Sequence, residues 1–545
     1  MAEDPDPETR AELAALLEAG DTAELAARFS GMLEFGTAGL RGEMGAGPMR
    51  MNRAVVIRAA AGLAGYLLHR ARTPGLVVVG YDARHRSADF ARDTAAVITG
   101  AGGGLRAALL PRPLPTPVLA FAIRHLGAVA GVAVTASHNP PRDNGYKVYL
   151  GDGSQIVPPA DAEIAAEIAA VRALADVPRP EGGWELLDEE VVEAYLDRSG
   201  AALTPGSPRT TTAVYTPLHG VGQSVLSAAF ARAGFPAPIE VPEQAAPDPD
   251  FSTVAFPNPE EPGAMDLALA AAGTARPRPD LVIANDPDAD RCAVGVPTDS
   301  VSGGWRMLRG DELGALLAAH AVRRGVRGTF ATSIVSSSLL GAIAAANGLR
   351  YVETLTGFKW LGRVPELAYA YEEALGYCVD PDGVRDKDGI TAALLAAELA
   401  AEQRERGRTL ADLLDELAVE HGLHATDQLS VRVDDLAEIA EAMRRLRAEP
   451  PTELASRPVL RADDLREGGT QLPPTDALRY VTEAARVIVR PSGTEPKLKC
   501  YLEVVVPVAA LADLPAARQQ ADEALATLKR GMARATGIDP AAPQP

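Results

Sequence analysis

The chain has 545 residues, 47% of them apolar and 23% charged, which suits a soluble globular protein of about three to four domains. Its net charge is −20. That argues against nucleic acid or an anionic membrane as partner, since both demand clustered cations. An anionic small substrate stays open, because it needs only a local basic pocket.

Cys292, Cys378 and Cys500 are far apart and form no CxxC, so they read as packing residues in a reducing, cytoplasmic compartment. The acidic start, Met1 to Glu8, lacks an apolar core and shows no signal peptide. No apolar run reaches the length of about 18 residues that suggests a membrane span.

In chain order, a helix is expected over Pro7–Phe29, interrupted near Gly20-Asp21, and a second over Asn52–Arg72 with Asn52 as its N-cap. A strand Leu76–Val79, a helix Ala91–Thr99 and a glycine loop Gly100–Gly104 follow. Next come a strand Leu105–Leu110, a helix Thr116–Leu126 and a strand Val129–Val134. This alternation predicts a parallel sheet with helices on its faces. Ligands of such sheets bind beyond the carboxyl ends of strands, which is where Asp82, Arg84 and Ser137 fall.

A Gly/Pro/Ser/Thr-rich linker, Gly200–Thr212, precedes a second unit with strands Ala213–Tyr215 and Leu281–Ala284 and a long loop over residues 242–262. A third unit has a strand Thr329–Thr332, a helix Ser336–Ala345 and a strand Tyr351–Thr354. Its polar loops are Thr356–Lys359 and Glu372–Gly376. The fourth has a strand Val487–Arg490, a loop Pro491–Pro496, a strand Lys499–Val505 and a closing helix stopped by Gly537. The expected domains are 1–205, 206–322, 323–425 and 426–545: three similar αβ domains with mixed or parallel sheets and a smaller α+β C-terminal domain.

Ser137 and His138 follow a buried strand within Val134-Thr-Ala-Ser-His-Asn-Pro140, a plausible display of a reactive hydroxyl. Asp286, Asp288 and Asp290 follow another. Carboxylates at i, i+2 and i+4 share one face if the backbone is extended, and Pro287 biases Asp286 away from helix. Three oxygen donors suit Mg²⁺, whereas an EF-hand would need Gly and Glu where Arg291 and Pro297 stand. A displayed serine together with such a triplet suggests a phosphoserine beside a divalent metal, with transfer driven by positioning and charge neutralisation. His138, Lys147, Arg41 and Arg291 are candidates to neutralise charge or move a proton. Arg490-Pro-Ser-Gly-Thr-Glu-Pro496 has the makings of a metal-free phosphate cradle, with Lys497 and Lys499 beside it. Glu372 and Glu373 suit sugar hydroxyls.

These motifs, in order, make the chain resemble the α-D-phosphohexomutase superfamily of phosphoglucomutases and phosphomannomutases. They are Gly36-Thr-Ala-Gly-Leu-Arg-Gly42, Thr135-Ala-Ser-His-Asn-Pro140, Asp286-Pro-Asp-Ala-Asp-Arg291, Gly357-Phe-Lys359, Glu372-Glu-Ala374 and Arg490–Pro496. The resemblance implies four domains around a central cleft, the last mobile. It implies a phosphoserine at Ser137 and Mg²⁺ on Ser137 and the three aspartates, with Lys147, His138 and Arg41 around the transferring group. It places Arg291, Gly357, Phe358, Lys359, Glu372, Lys387, Arg490, Ser492, Gly493, Thr494 and Lys499 on the substrate.

Pro257-Asn-Pro-Glu-Glu261 and Arg385-Asp-Lys-Asp-Gly389 are similar to the branch that holds phosphopentomutases and glucose-1,6-bisphosphate synthases beside phosphoglucomutases. Ala374 stands where many members carry Ser, so one sugar contact is missing or replaced. The expected reaction interconverts glucose 1-phosphate and glucose 6-phosphate, with glucose 1,6-bisphosphate as intermediate and activator. The rivals are a phosphopentomutase, a bisphosphate synthase and a non-catalytic sugar-phosphate sensor. Sugar phosphates are the expected partners, with no nucleic acid and no membrane, and the oligomeric state stays open.

Overall fold

The computed structural model describes residues 3–36, 39–298, 303–433, 436–467, 472–492 and 497–537. The chain divides into two compact units, one of residues 1–310, 358–370 and 374–406, the other of residues 311–357, 371–373 and 407–545.

In the first unit the expected opening helix is two, Pro7–Ala19 and Thr22–Phe29. Gly20, at a left-handed φ of 64°, ends the first, and the Asp21 carboxylate caps the second by accepting from the Glu24 N–H. Asn52 caps the helix Arg53–Gly65 through the Val55 N–H, as its sequence position predicted. The first sheet is built from β1 (Leu40–Glu43), β2 (Leu76–Tyr81), β3 (Arg106–Leu109), β4 (Ala130–Val134), β5 (Asp143–Leu150) and β6 (Glu185–Leu186), in the order β1-β5-β4-β2-β3-β6. β2 is parallel to β3 and β4, but β5 runs antiparallel to β4, and β1 to β5, so the sheet is mixed. β2 and β4 are Val-rich and buried because helices cover both faces. The helix Ser87–Ala101 extends past its expected limits and takes in Gly100.

The second sheet contains β7 (Ala213–Thr216), β8 (Ile239–Glu240), β9 (Leu281–Ala284), β10 (Ala293–Pro297) and β11 (Trp305–Met307), in the order β11-β10-β9-β7-β8. β9, four buried apolar residues parallel to β7, is the rigid strand from which the aspartate segment emerges.

In the second unit β12 (Thr329–Ser333) and β13 (Arg350–Thr354) pair in parallel around the helix Leu339–Ala346. β14 (Leu367–Glu372) carries the chain into this unit at Tyr371, and β15 (Gly376–Cys378) belongs to the first. The C-terminal region has β16 (Leu423–Arg432), β17 (Glu453–Leu454), β18 (Arg457–Pro458), β19 (Arg461–Asp464), β20 (Leu478–Val481), β21 (Ala485–Pro491) and β22 (Lys497–Val506). Its five-stranded sheet, β16-β22-β21-β20-β19, is antiparallel throughout. Val487, Val489, Leu498, Cys500, Leu502 and Val504 alternate inward and pack with the closing helix Leu514–Thr536. Among the described residues no helix is long and apolar enough to cross a membrane.

Candidate active site

β4 is buried along its whole length and stops at Val134. The Thr135 hydroxyl then accepts the Ser137 N–H at 2.9 Å, and Ser137 takes a left-handed φ of 52°. That conformation costs a non-glycine residue about 1–3 kcal/mol and persists only where the surroundings impose it. Ser137 is 2% exposed. Its hydroxyl donates to Asp286 Oδ2 at 2.7 Å and lies 3.2 Å from His138 Nδ1.

The aspartate segment is not the extended loop the spacing suggested. It turns, with the Ala289 N–H donating to the Asp286 carbonyl at 2.8 Å and Ala289 at a φ of 52°. The reason is packing against the Leu218–Val221 loop. The Val221 N–H donates to the Pro287 carbonyl at 2.8 Å, and a Cβ on Gly220 would lie 2.3 Å from Pro287 Cα. The turn converges the three carboxylates, all 0% exposed, with oxygens within 4.8 Å of one another.

Asp288 Oδ2 accepts from Lys147 Nζ at 2.7 Å and Thr116 Oγ1 at 2.7 Å; Asp290 Oδ2 accepts from Lys147 Nζ at 3.0 Å. Asp286 Oδ1 accepts the Arg291 N–H at 3.0 Å. Asp288 Oδ1 and Asp290 Oδ1 are buried and accept no hydrogen bond. Buried carboxylate oxygens without donors are costly unless a cation meets them. An all-oxygen donor set with two open oxygens therefore fits a hard divalent ion.

Two unanticipated strands deliver the cations. Lys147 sits on β5 and Arg41 on β1, where the polar runs Leu40-Arg-Gly-Glu43 and Asp143-Asn-Gly-Tyr-Lys147 disguise the strand pattern. Burial would lower the Lys147 pKa, but Asp288 and Asp290 outweigh it and hold the ammonium charged. His138 is pushed well below its usual range by burial and by Arg291 and Arg41, so its imidazole is neutral. Burial and Asp288 push Asp290 upward; Lys147, Lys387 and Arg291 outweigh them and keep it ionised.

Arg41 Nη1 donates to Asn139 Oδ1 at 3.1 Å. Arg291 donates to the Ala374 carbonyl and lies 3.9 Å from both Asp286 and Asp290. Lys387 Nζ is 3.5 Å from Asp290 Oδ2 and 5.1 Å from the centre of the Phe358 ring. Phe358 and Lys359, expected in a loop, open the helical turn Phe358–Leu361, and Lys359 lies over Trp360. Thr116, which holds Asp288, went unnoticed in the sequence; it reads there only as a helix start.

The remaining candidates lie in the second unit. Glu372, the last residue of β14, accepts the Gly357 N–H at 2.6 Å. Glu373 is tied down by Ser336 Oγ at 2.9 Å and Ser333 Oγ at 3.2 Å. Arg490 and Lys499 face each other across β21 and β22, so two cations flank the intervening loop. The Ser492 N–H donates to the Lys497 carbonyl at 2.8 Å. Gly493 and Thr494 lie outside the described residues.

Four family models match the chain in succession. They are the phosphoglucomutase/phosphomannomutase alpha/beta/alpha domains I (residues 32–174), II (193–299) and III (309–420), and the C-terminal domain of that family (429–521). A "Probable phosphomannomutase" of Haemophilus influenzae is 48% identical, covering 84% of this chain and 93% of its own. The human phosphopentomutase is 35% identical over 90% of this chain and 88% of its own. A crystal structure of a "putative phosphomannomutase" from Thermus thermophilus superposes with a TM-score of 0.69 at 28% identity, covering 91% of this chain and 99% of that one. The chain therefore belongs to the phosphoglucomutase/phosphomannomutase family of the α-D-phosphohexomutase superfamily, with four α/β domains, and is a phosphomutase.

Proposed function

We propose that this phosphomutase is a cytoplasmic enzyme that interconverts glucose 1-phosphate and glucose 6-phosphate through a phosphoserine at Ser137. It also accepts a pentose 1-phosphate. The carrying observation is the Ser137 hydroxyl, 2.7 Å from a buried aspartate whose two companions keep unbonded oxygens. Asp286, Asp288 and Asp290 would hold Mg²⁺, which neutralises phosphoryl charge when bound.

The free hydroxyl of the sugar phosphate attacks phosphorus, its new P–O bond forming as the Ser137 Oγ–P bond breaks. Neutral His138 takes the hydroxyl proton. Lys147, Arg41 and Arg291 offset the charge on the transferring group. The product, glucose 1,6-bisphosphate, turns over, and its other phosphate returns to Ser137 Oγ by the reverse step. Glu372 binds sugar hydroxyls, while Arg490, Ser492, Gly493, Thr494 and Lys499 hold the phosphate that is not reacting. The Gly357-Phe358-Lys359 segment and Lys387 complete the substrate contacts. The domain limits that go with this reading are 1–205, 206–322, 323–425 and 426–545.

A pentose phosphate as main substrate is the second reading, favoured by the likeness to human phosphopentomutase and by Ala374. A site lacking a hydroxyl partner discriminates less against sugars that lack that hydroxyl. The test is kcat/KM for glucose, mannose and ribose or deoxyribose 1-phosphates under one set of conditions with Mg²⁺ and glucose 1,6-bisphosphate. Good use of glucose 1-phosphate with measurable pentose turnover is expected. Preference for mannose 1-phosphate by more than about tenfold, roughly 1.4 kcal/mol, overturns the substrate assignment. A dominant pentose phosphate selects the second reading.

A further inference from the structure

From the geometry beneath Ser137 we infer that Arg84, backed by Phe251, is the positioning residue that aims the serine hydroxyl at Asp286. The inference rests on the proposed role of Ser137 as phosphate carrier.

The turn between β4 and β5 has to leave the sheet, so several of its carbonyls lose their strand partners. One guanidinium collects them. Arg84 Nη2 donates to the Ser137 carbonyl and the Asn139 carbonyl, each at 2.6 Å. Nη1 donates to the Pro140 carbonyl at 2.8 Å and the Asp143 carbonyl at 3.2 Å. The Arg84 side chain is 1% exposed. A buried cation spent on backbone carbonyls needs a counter-charge, and Asp82 lies 3.4 Å from Nε. Asp82 is itself held by the Ser87 hydroxyl at 2.6 Å and the Arg84 N–H at 3.0 Å.

The open face of the guanidinium is covered by Phe251, 4.8 Å away, a 2%-exposed ring on the loop after β8. Phe251 has a left-handed φ of 49°, so that loop is itself bent to present the ring.

Fixing the Ser137 carbonyl fixes the peptide plane after Ser137, in a residue already forced into the left-handed region. The direction of its Cα–Cβ bond follows, and the hydrogen bond to Asp286 Oδ2 then selects the χ1 rotamer that places Oγ. A planar fork with two donor nitrogens can span four carbonyls; an ammonium on one centre cannot. Misplacing a reacting atom by about 1 Å can cost about a hundredfold in rate.

The test compares wild type with Arg84→Lys and Phe251→Leu. It measures the rate at which glucose 1,6-bisphosphate phosphorylates Ser137 (peptide mass), kcat and KM, and amide exchange over residues 135–143. In folded variants both the phosphorylation rate and kcat should fall together. The expected loss is about tenfold to a hundredfold for Arg84→Lys and less for Phe251→Leu. KM should stay within about twofold, and exchange should quicken over 135–143 alone. A folded Arg84→Lys with unchanged kcat and phosphorylation rate, or one changed only in KM, overturns the inference. If Arg84→Lys does not fold, Phe251→Leu decides on the same criteria. Wild type that takes up no phosphate at Ser137 overturns the carrier reading and this inference together. Phosphorylated wild type matched by its variants sinks this inference alone.

Discussion

Around Asp286, Asp288 and Asp290 in the first unit, and around Arg486 in the second, the chain buries several charges at once, and the two clusters are closed differently. Arg486 meets Glu353 at 2.9 Å, Glu503 at 3.0 Å and the Ser336 carbonyl. Glu503 also accepts from Ser337 Oγ and the Ser338 N–H, both at 2.7 Å. Burial pushes Glu503 upward, but Arg486, His424 and Ser337 outweigh it and hold it down at about 2. The four carboxylate oxygens of Glu353 and Glu503 each have a cationic or hydrogen-bond partner, which suits a cluster that holds the fold together. The aspartates, by contrast, keep Asp288 Oδ1 and Asp290 Oδ1 unbonded. Two such oxygens on converging carboxylates fit a cation, whereas the lone unbonded Asp82 Oδ2 already faces the Arg84 guanidinium.

The comparison breaks first on Ser137→Ala. Removing the proposed carrier hydroxyl should lower kcat/KM by about a thousandfold or more, with the unfolding midpoint unchanged. Near-normal turnover would mean the open cluster serves some other chemistry. Arg486→Ala should do the reverse and cost about 3–5 kcal/mol of stability in urea unfolding, because it leaves Glu503 buried without its cation, while Glu353 is partly exposed and keeps Arg479. A loss under about 1 kcal/mol would show that the closed cluster is not structural.

Asp288→Asn sharpens the contrast. With Mg²⁺ present, activity should drop about a hundredfold, and the rise in Tm on adding Mg²⁺ should shrink. Without metal, Tm should fall only slightly, since Lys147 keeps its partner Asp290 and an amide oxygen can still accept from Thr116. A large Tm loss in chelator would make Asp288 a structural acid like Glu503. The smallest effect belongs to Arg490→Ala, which should raise KM about tenfold, with kcat changed less. An unchanged kcat/KM would leave the loop after β21 as a hairpin turn only.

Much of the unit order was legible because its signals are local. Short Val-rich runs, the Asn52 cap, Gly20 and Gly537 each act within a few residues. Ser137 and the aspartate triplet were legible for the same reason, each standing where a buried strand ends. β1 and β5 were not, since Arg41, Gly42, Asn144, Gly145 and Lys147 break the apolar alternation and become strand only through pairing with neighbours. Gly145 shows why: a Cβ there would lie 2.5 Å from the Thr135 carbonyl, a constraint no local pattern displays.

From its own letters the chain determined which residue types would be delivered at strand ends, because backbone propensity and apolar periodicity act over a few neighbours. Only the tertiary structure decided how they meet. Lys147 reaches Asp288 across 141 residues, and Thr116 reaches it across 172. The aspartates converge through a turn imposed by the Leu218–Val221 loop rather than through an extended loop, and Arg84 gathers carbonyls more than fifty residues away. Which carboxylate oxygens stay open depends on the sum of all donors packed around them, and that sum exists only once distant strands have docked.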